Sequence, residues 1–228
     1  MQKLEQPILA VDVVIFSVRQ KHLCVLLHER KSEPFAGAQA LPGVAVRIDE
    51  TLLSAAQRAL NEKSALPPAI CSTIYLEQLA TFDALYRDIR GRTVSVAHLG
   101  IVPFHDIHSE NNIWEPVAGI QKGSLPFDHE EIINTARTRL QGKLKYTNIA
   151  HAFLKETFRI EELQTVYEAI LGTRINRANF RNKLLKIGLI EQVTVLSKAV
   201  GKKGGRPPHL YRFTSRHLET INRDFLYV

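Results

Sequence analysis

The sequence lacks any apolar run that approaches the roughly 18 residues a membrane-spanning helix needs, and its first ten residues lack the pattern of a signal peptide. It has only two cysteines, Cys24 and Cys71, and both lie in apolar runs without the spacing of a metal site or a disulfide framework. We therefore expect two buried thiols, a cytoplasmic location and no membrane partner.

Acidic residues are scarce in the last third of the chain. Between residues 174 and 216, Glu191 is the one acid among eleven lysines and arginines, whereas residues 1–150 carry 16 basic and 16 acidic residues. The whole net charge of +7 therefore comes from the C-terminal part. A neutral body followed by a basic segment favours a small-molecule domain joined to a domain that binds a polyanion.

The stretch from Leu41 to Leu66 has the most specific pattern. It begins with a Leu-Pro-Gly turn and continues through a short extended segment, 44–48. From Thr51 it is predicted to be helical, with Asp49, Glu50 and Thr51 supplying a cap and negative charge at the helix N-terminus. The apolar residues that recur at helical spacing are Leu52, Leu53, Ala56, Ala59 and Leu60.

This turn, strand and helix resemble the Nudix box, the catalytic motif of hydrolases that cut diphosphates linked to another moiety. An ordinary amphipathic helix after a Pro-Gly turn is the alternative, but it does not account for the spacing of the whole stretch. With the family pattern laid on this stretch without a gap, the first glycine falls on Val44 and the next glutamate on Glu50. The Arg-Glu pair falls on Arg58-Ala59, the Glu-Glu pair on Glu62-Lys63 and the second glycine on Ala65.

The resemblance implies the Nudix fold, but the residues do not supply the chemistry of the box. Mg²⁺ requires several oxygen ligands, which the box provides as carboxylates on one turn of helix. Here Ala59 and Lys63 replace two of those carboxylates, and Glu62, with or without Glu50, is a poor Mg²⁺ site. We predict no catalytic residues, no metal ligands and no efficient hydrolysis.

The remaining N-terminal sequence alternates predicted strands with a helix, 128–140, which suits the α/β/α sandwich with a mixed sheet that the resemblance implies for residues 1–145. Residues 76–82 and Arg90-Gly91-Arg92 resemble the ADP-ribose-type Nudix branch. Arginines bind phosphate oxygens bidentately, so a basic loop suits a diphosphate; a solvated loop is the alternative. The candidate ligand-binding residues are Arg47, Glu50, Arg58, Glu62, Arg87, Arg90 and Arg92.

Three helices and two strands are predicted after the domain boundary near 142–146. The helices are 148–157, 161–171 and one capped by Asn176 and stopped at Gly188, whose inward residues are Phe180, Leu184 and Leu185. The strands begin near Gly188 and at His209. This order is that of a winged helix-turn-helix domain, assigned to residues 146–228.

The exposed face of the third helix and the wing are basic, which suits double-stranded DNA: the helix can enter a major groove and the wing can follow the backbone. A solvated basic face and RNA binding are the alternatives. The candidate DNA contacts are Arg174, Arg177, Asn179, Arg181, Lys183, Lys202, Lys203 and Arg206.

Both halves together resemble the Nudix-related transcriptional regulators of bacterial NAD metabolism. The most specific segments are 162–168, 179–185, 205–207 and 210–213. Arg159 departs from the helix-capping threonine that is common in that family. The resemblance implies a homodimeric repressor of NAD biosynthesis or salvage genes that binds operator DNA, senses ADP-ribose or a related nucleotide and requires no cofactor. The rivals are an active Mg²⁺-dependent ADP-ribose pyrophosphatase with an accessory DNA-binding domain, and a basic interaction module without a nucleotide ligand.

Overall fold

The computed structural model describes residues 6–103, 113–193 and 209–221. The chain divides into two compact units between Arg139 and Leu140. None of the described helices is long and apolar enough to cross a membrane. The elements of the N-terminal unit are β1 (Ile8–Arg19), β2 (His22–Glu29), β3 (Gln39–Ala40), β4 (Gly43–Ala45), α1 (Leu52–Lys63), α2 (Pro68–Cys71), β5 (Tyr75–Phe82), β6 (Thr93–Ile101), β7 (Ile113–Pro116) and α3 (His129–Tyr146), within which the division falls.

Strand β1 is the centre of the sheet. The described strands have the order β3-β2-β1-β6-β5, while β4 also pairs with β1 and β7 with β2. The pairing of β1 with β6 is parallel and its pairing with β2 and β4 is antiparallel, so the sheet is mixed, as predicted. Because both faces of a central strand are covered, its residues Val13, Val14, Ile15 and Phe16 are fully buried.

Helix α1 covers one face of β1 and begins where the sequence predicts. The Thr51 hydroxyl accepts a hydrogen bond from the Ser54 backbone N–H at 3.1 Å and so caps the helix. Ala55, Ala56, Ala59 and Leu60 pack in one apolar cluster with β1. Ala65, at the position of the second family glycine, has φ of +53°, a conformation that glycine adopts more easily.

Helix α3 continues about two turns beyond the end that the sequence predicts. It ends at Tyr146 and not at Leu140, and it includes Gly142. Glycine costs roughly 1 kcal/mol in a helix, but Leu140 and Leu144, one turn apart, are both fully buried and stabilise the helical conformation. The segment 142–146, predicted to be a boundary between helices, is therefore helical.

The C-terminal unit contains a 3₁₀ helix (Ile149–Phe153), α4 (Ile160–Leu171), α5 (Arg177–Lys186), β8 (Ile190–Val193) and β9 (Leu210–Phe213). The predicted helix 148–157 was wrong in extent: the segment forms only the short 3₁₀ helix, and the Asn148 amide before it donates to the carbonyl oxygens of Ser215 and His217 at 3.1 and 2.8 Å. Leu185 was also wrongly placed inside, since it is 36% exposed, while Phe180 and Leu184 are buried.

Candidate functional site

The residues at the box positions have different structural roles. Ala59 is fully buried in the cluster between α1 and β1. Lys63, on the last turn of α1, donates a hydrogen bond to the carbonyl oxygen of Gly43. Gly43 pairs with Asp12, and a Cβ at Gly43 would lie 2.1 Å from the Asp12 Oδ1, so only glycine fits at this point of the turn. The Leu-Pro-Gly turn therefore presents a carbonyl to the ammonium group of Lys63.

Glu50 stabilises the loop that precedes α1. Its carboxylate accepts hydrogen bonds from the Arg58 Nε at 3.0 Å and from the Arg47 backbone N–H at 2.7 Å. The hydrogen bond from Arg58 is the main reason that the pKa of Glu50 is lowered to about 2. Glu62 is half-exposed, with an oxygen 3.6 Å from an Arg58 nitrogen. Glu50 is thus ionised and bound within the loop.

These positions do not offer the ligand set that the fold family would use for Mg²⁺. Within residues 6–103, 113–193 and 209–221, no three His, Cys, Asp or Glu side chains are grouped as a metal site requires. Hard divalent cations bind through several carboxylate oxygens. Ala59 has no such oxygen, and the ammonium group of Lys63 repels a cation, so the residues present do not fit the metal.

A buried ion-pair network lies beside this region. The Arg87 guanidinium donates to Asp128 through Nε and Nη2, at 2.7 and 2.5 Å, and lies 3.3 Å from Asp12. Asp12 also accepts a hydrogen bond from the Ser95 hydroxyl at 2.6 Å. Burial raises the pKa of Asp12, but its contacts with His129, Ser95 and Arg87 outweigh burial and hold the pKa at about 2. The network joins β1, β6, the β5–β6 loop and the start of α3.

The ring of His129 is oriented by the same network. The Leu41 backbone N–H donates to His129 Nδ1 at 3.1 Å, so the ring proton is on Nε2, which faces Asp12 at 3.6 Å. The Asp128 carboxylate, directly before α3, accepts two hydrogen bonds from the Arg87 guanidinium. The Asp128-His129 pair therefore anchors α3 to the turn before β4.

Two adjacent cavities lie on this side of the N-terminal unit. The first, of about 250 Å³, is lined by Ile8, Ala10, Asp12, Arg30, Ser32, Leu41, Gly43, Val44, Ala45, Lys63, Arg87, Asp88, Arg90, Thr93, Phe127 and His129. The second, of about 620 Å³, is lined by Leu27, His28, Glu29, Arg30, Lys31, Ser32, Asn61, Glu62, Lys63, Ser64, Ala65 and Ile113. Arg30, Ser32 and Lys63 line both, and we call these three residues the shared wall.

Only some of the candidate ligand-binding residues line these cavities. Arg87 and Arg90 line the first cavity and Glu62 lines the second, whereas Arg47, Glu50, Arg58 and Arg92 line neither. Arg92 donates to the carbonyl oxygens of Asp83 and Ala84, at 2.6 and 3.2 Å, and so closes its own loop.

Sequence reasoning missed several cavity residues, among them Arg30 and Phe127. The Arg30 guanidinium lies 4.9 Å from the centre of the Phe127 ring, and that of Arg90 lies 5.5 Å from it. Two signals in the sequence were available: Asp12 interrupts an apolar strand, and Arg30 follows the next strand directly. Phe127 gave no comparable signal.

In the C-terminal unit, α4 and α5 form a helix pair with a fixed turn. Gly172 ends α4 at φ of +73°, and the Asn176 side chain caps α5 by accepting from the Asn179 N–H at 3.1 Å. The rings of Tyr167 and Phe180 pack edge to face with centroids 5.0 Å apart. Strands β8 and β9 pair antiparallel, as the wing requires.

The candidate DNA residues on this pair are accessible. Arg174, Arg177 and Asn179 are exposed, and Arg181 and Lys183 are half-buried. Arg177 forms an ion pair with Glu161 of α4, while the Arg181 guanidinium bonds only to its neighbour Asn182, at 2.9 and 3.2 Å, among the described contacts. Three further candidates, Lys202, Lys203 and Arg206, lie outside the described residues.

Comparison with known proteins matches both units. Residues 6–136 match the NUDIX domain and residues 150–213 match the NrtR DNA-binding winged helix domain. The ADPR responsive transcriptional repressor NtrR of Acinetobacter baylyi is 36% identical over 214 residues, which cover 91% of this chain and 82% of that protein.

Solved structures also match this chain. The crystal structure of Shewanella oneidensis NrtR complexed with a 27mer DNA has a TM-score of 0.72 at 33% identity and covers 90% of this chain and 93% of its own. The NUDIX domain of the same protein complexed with ADP ribose has a TM-score of 0.51 at 35% identity and covers 60% of this chain and 90% of its own. The predicted fold class is confirmed, and the chain belongs to the NrtR family, in which a Nudix domain is followed by a winged helix domain.

Proposed function

We propose that this protein is a bacterial transcriptional repressor that binds operator DNA through its winged helix unit and senses ADP-ribose, or a related NAD-derived nucleotide, in its Nudix unit. The observation that carries the proposal is the similarity to an ADPR responsive repressor across 91% of the chain, which includes both units. The target genes are those of NAD biosynthesis or salvage, and the protein acts in the cytoplasm as a homodimer on two-fold symmetric sites.

The DNA-binding part of the proposal is supported by the charge and the exposure of α5. Arg181 reaches base edges or phosphates from the major groove, with Arg174, Arg177 and Lys183 supplying positive charge beside it. Asn179 suits an adenine contact, since its amide both donates and accepts. Lys202, Lys203 and Arg206 supply the charge of the wing.

The sensing part is supported by the two cavities and their basic walls. Arg87, Arg90 and Glu62 line the cavities and have a direct role in the proposal, while Glu50, Arg58 and Arg92 act by holding the surrounding loops. Arg47 lines neither cavity and contributes its backbone N–H to Glu50. An effector shifts DNA affinity only through different affinities for the two states of the protein. Release of DNA on ADP-ribose binding is the direction that we propose.

The Nudix unit is proposed to bind its nucleotide without efficient hydrolysis. Hydrolysis of a diphosphate in this fold depends on a Mg²⁺ ion that several carboxylates hold. Ala59 and Lys63 stand at two of those positions, and Glu50 is already bound by Arg58. The family's metal chemistry therefore has too few ligands among the described residues.

Incubation of the full chain with ADP-ribose and Mg²⁺ should release no AMP above the enzyme-free rate, measured by liquid chromatography. Glu62→Gln is the matched variant, because it removes the carboxylate that remains on α1 with little change of volume. Mg²⁺-dependent AMP release that disappears in Glu62→Gln would instead establish the pyrophosphatase.

A further inference from the structure

The cations that line the first cavity, Arg30, Lys63, Arg87 and Arg90, fall into two groups by their partners. Arg87 is paired with Asp12 and Asp128, and Arg90 is paired with Asp88 at 2.6 Å. Lys63 and Arg30 are different. Both donate to backbone carbonyl oxygens. Lys63 donates to that of Gly43, and Arg30 donates to those of Pro34 and Ser32, at 3.0 and 3.4 Å. Neither forms an ion pair with a carboxylate of the described residues.

Both cations are half-buried, and partial burial of a charge is unfavourable without an anion. The pKa of Lys63 is lowered by burial first and by the Arg30 charge second, and the carboxylates of Asp12 and Glu62 offset this only in part. The pKa of Arg30 is likewise lowered by burial and then by the Arg90 charge, against smaller opposing effects of Asp88, Asp12 and Glu33. An anion bound between Lys63 and Arg30 would stabilise both charged forms. The wall is therefore organised for an anion.

The geometry of the cavities indicates the class of anion. The shared wall lines two cavities, one of about 250 Å³ and one of about 620 Å³. A ligand with two bulky ends and a charged link fits this arrangement, with the link at the wall. An ammonium has three donors, so two remain on Lys63 after its bond to Gly43. The guanidinium of Arg30 and the Ser32 hydroxyl complete the donors for a diphosphate.

We propose that Lys63, with Arg30, is a built-in counter-cation that binds the diphosphate of the effector and takes the place of the divalent metal of Nudix hydrolases. The inference rests on the proposed function, because the ligand is the same nucleotide. Lys63 stands where the family pattern has a metal-binding glutamate, and the proposal gives this lysine a role in binding the ligand. ADP-ribose binding is then independent of Mg²⁺ and dependent on the charge of residue 63.

Calorimetric titration of the full chain with ADP-ribose, in EDTA and in Mg²⁺, tests this role. We expect the Kd of the wild type to agree within about twofold between the two conditions. Lys63→Met should raise Kd about tenfold or more in both, which is typical for the loss of a hydrogen bond from a charged group. Lys122→Met is the control, since Lys122 is exposed and lines neither cavity, and its Kd should equal that of the wild type.

A wild-type measurement keeps the test independent of the folding of Lys63→Met. Inorganic pyrophosphate should compete with ADP-ribose in EDTA, because it presents the same charged link. Three results would each overturn the role of Lys63 as a counter-cation and leave the sensor function intact. These are absence of competition by pyrophosphate, binding of ADP-ribose only in Mg²⁺, and a folded Lys63→Met with unchanged Kd. Failure of ADP-ribose to bind the wild type in either condition would overturn the proposed function, and this inference with it.

Discussion

Replacing Arg87 by methionine is expected to lower the free energy of unfolding of the N-terminal unit by about 3 kcal/mol. The Arg87 side chain is 4% exposed and lies between the carboxylates of Asp12 and Asp128. Removing one member of a buried ion pair leaves an uncompensated buried charge, which costs roughly 3–5 kcal/mol. Here two carboxylates lose Arg87, although Ser95 still donates to Asp12 and His129 still lies 3.6 Å from it.

Urea unfolding followed by Trp114 fluorescence measures this loss. Trp114 is the single tryptophan of the chain and lies in β7, so its signal reports the N-terminal unit. Arg92→Met is the matched control, because Arg92 is exposed and bonds only to carbonyl oxygens of its own loop among the described contacts. The control should lose less than about 1 kcal/mol, as is usual for surface positions. Equal losses for Arg87 and Arg92 would contradict the buried network.

Replacing Arg181 by alanine is expected to weaken binding to the specific DNA site by about 1–3 kcal/mol, or roughly five- to 150-fold. Arg181 is on α5, and its guanidinium bonds only to Asn182 among the described contacts, so its removal costs the fold little. Arg177 is a less clean target, because it is also an ion-pair partner of Glu161. Binding is measured at a fixed salt concentration, since phosphate contacts are strongly salt-dependent.

The control for Arg181→Ala is Lys122→Ala, which removes one positive charge from the N-terminal unit. It should leave the affinity within about twofold. Binding to unrelated DNA separates the two kinds of contact: a base-reading arginine affects the specific site most, whereas a phosphate contact weakens all sequences alike. Unchanged affinity of Arg181→Ala for the specific site would remove it from the interface.

Elements whose contacts lie between residues close in the sequence could be predicted from the sequence alone. The hairpin of β1 and β2 turns at Gln20 and Lys21, and both have positive φ, as a tight hairpin turn requires. The caps at Thr51 and Asn176 are formed by side chains that bond three residues ahead. Such contacts can be inferred from spacing alone.

The cavities could not be predicted in the same way, because distant segments build them. Arg87 meets Asp128, 41 residues later, and Ser95 reaches Asp12 across 83 residues. The charge of the β5–β6 loop drew attention to Arg87 and Arg90, which line the first cavity, and equally to Arg92, which lines neither cavity and donates to its own loop. The hydrogen bonds of the Asn148 amide were missed for the same reason, since its partners are 67 and 69 residues away.

ADP-ribose is expected to control the binding of this protein to operator DNA. Fluorescence anisotropy of labelled DNA from upstream of the protein's own operon tests it directly, at fixed salt, with and without saturating ADP-ribose. Specific binding should weaken by roughly five- to 150-fold when ADP-ribose is present, the range of typical allosteric coupling. An affinity for the operator that stays the same with and without ADP-ribose would contradict the account.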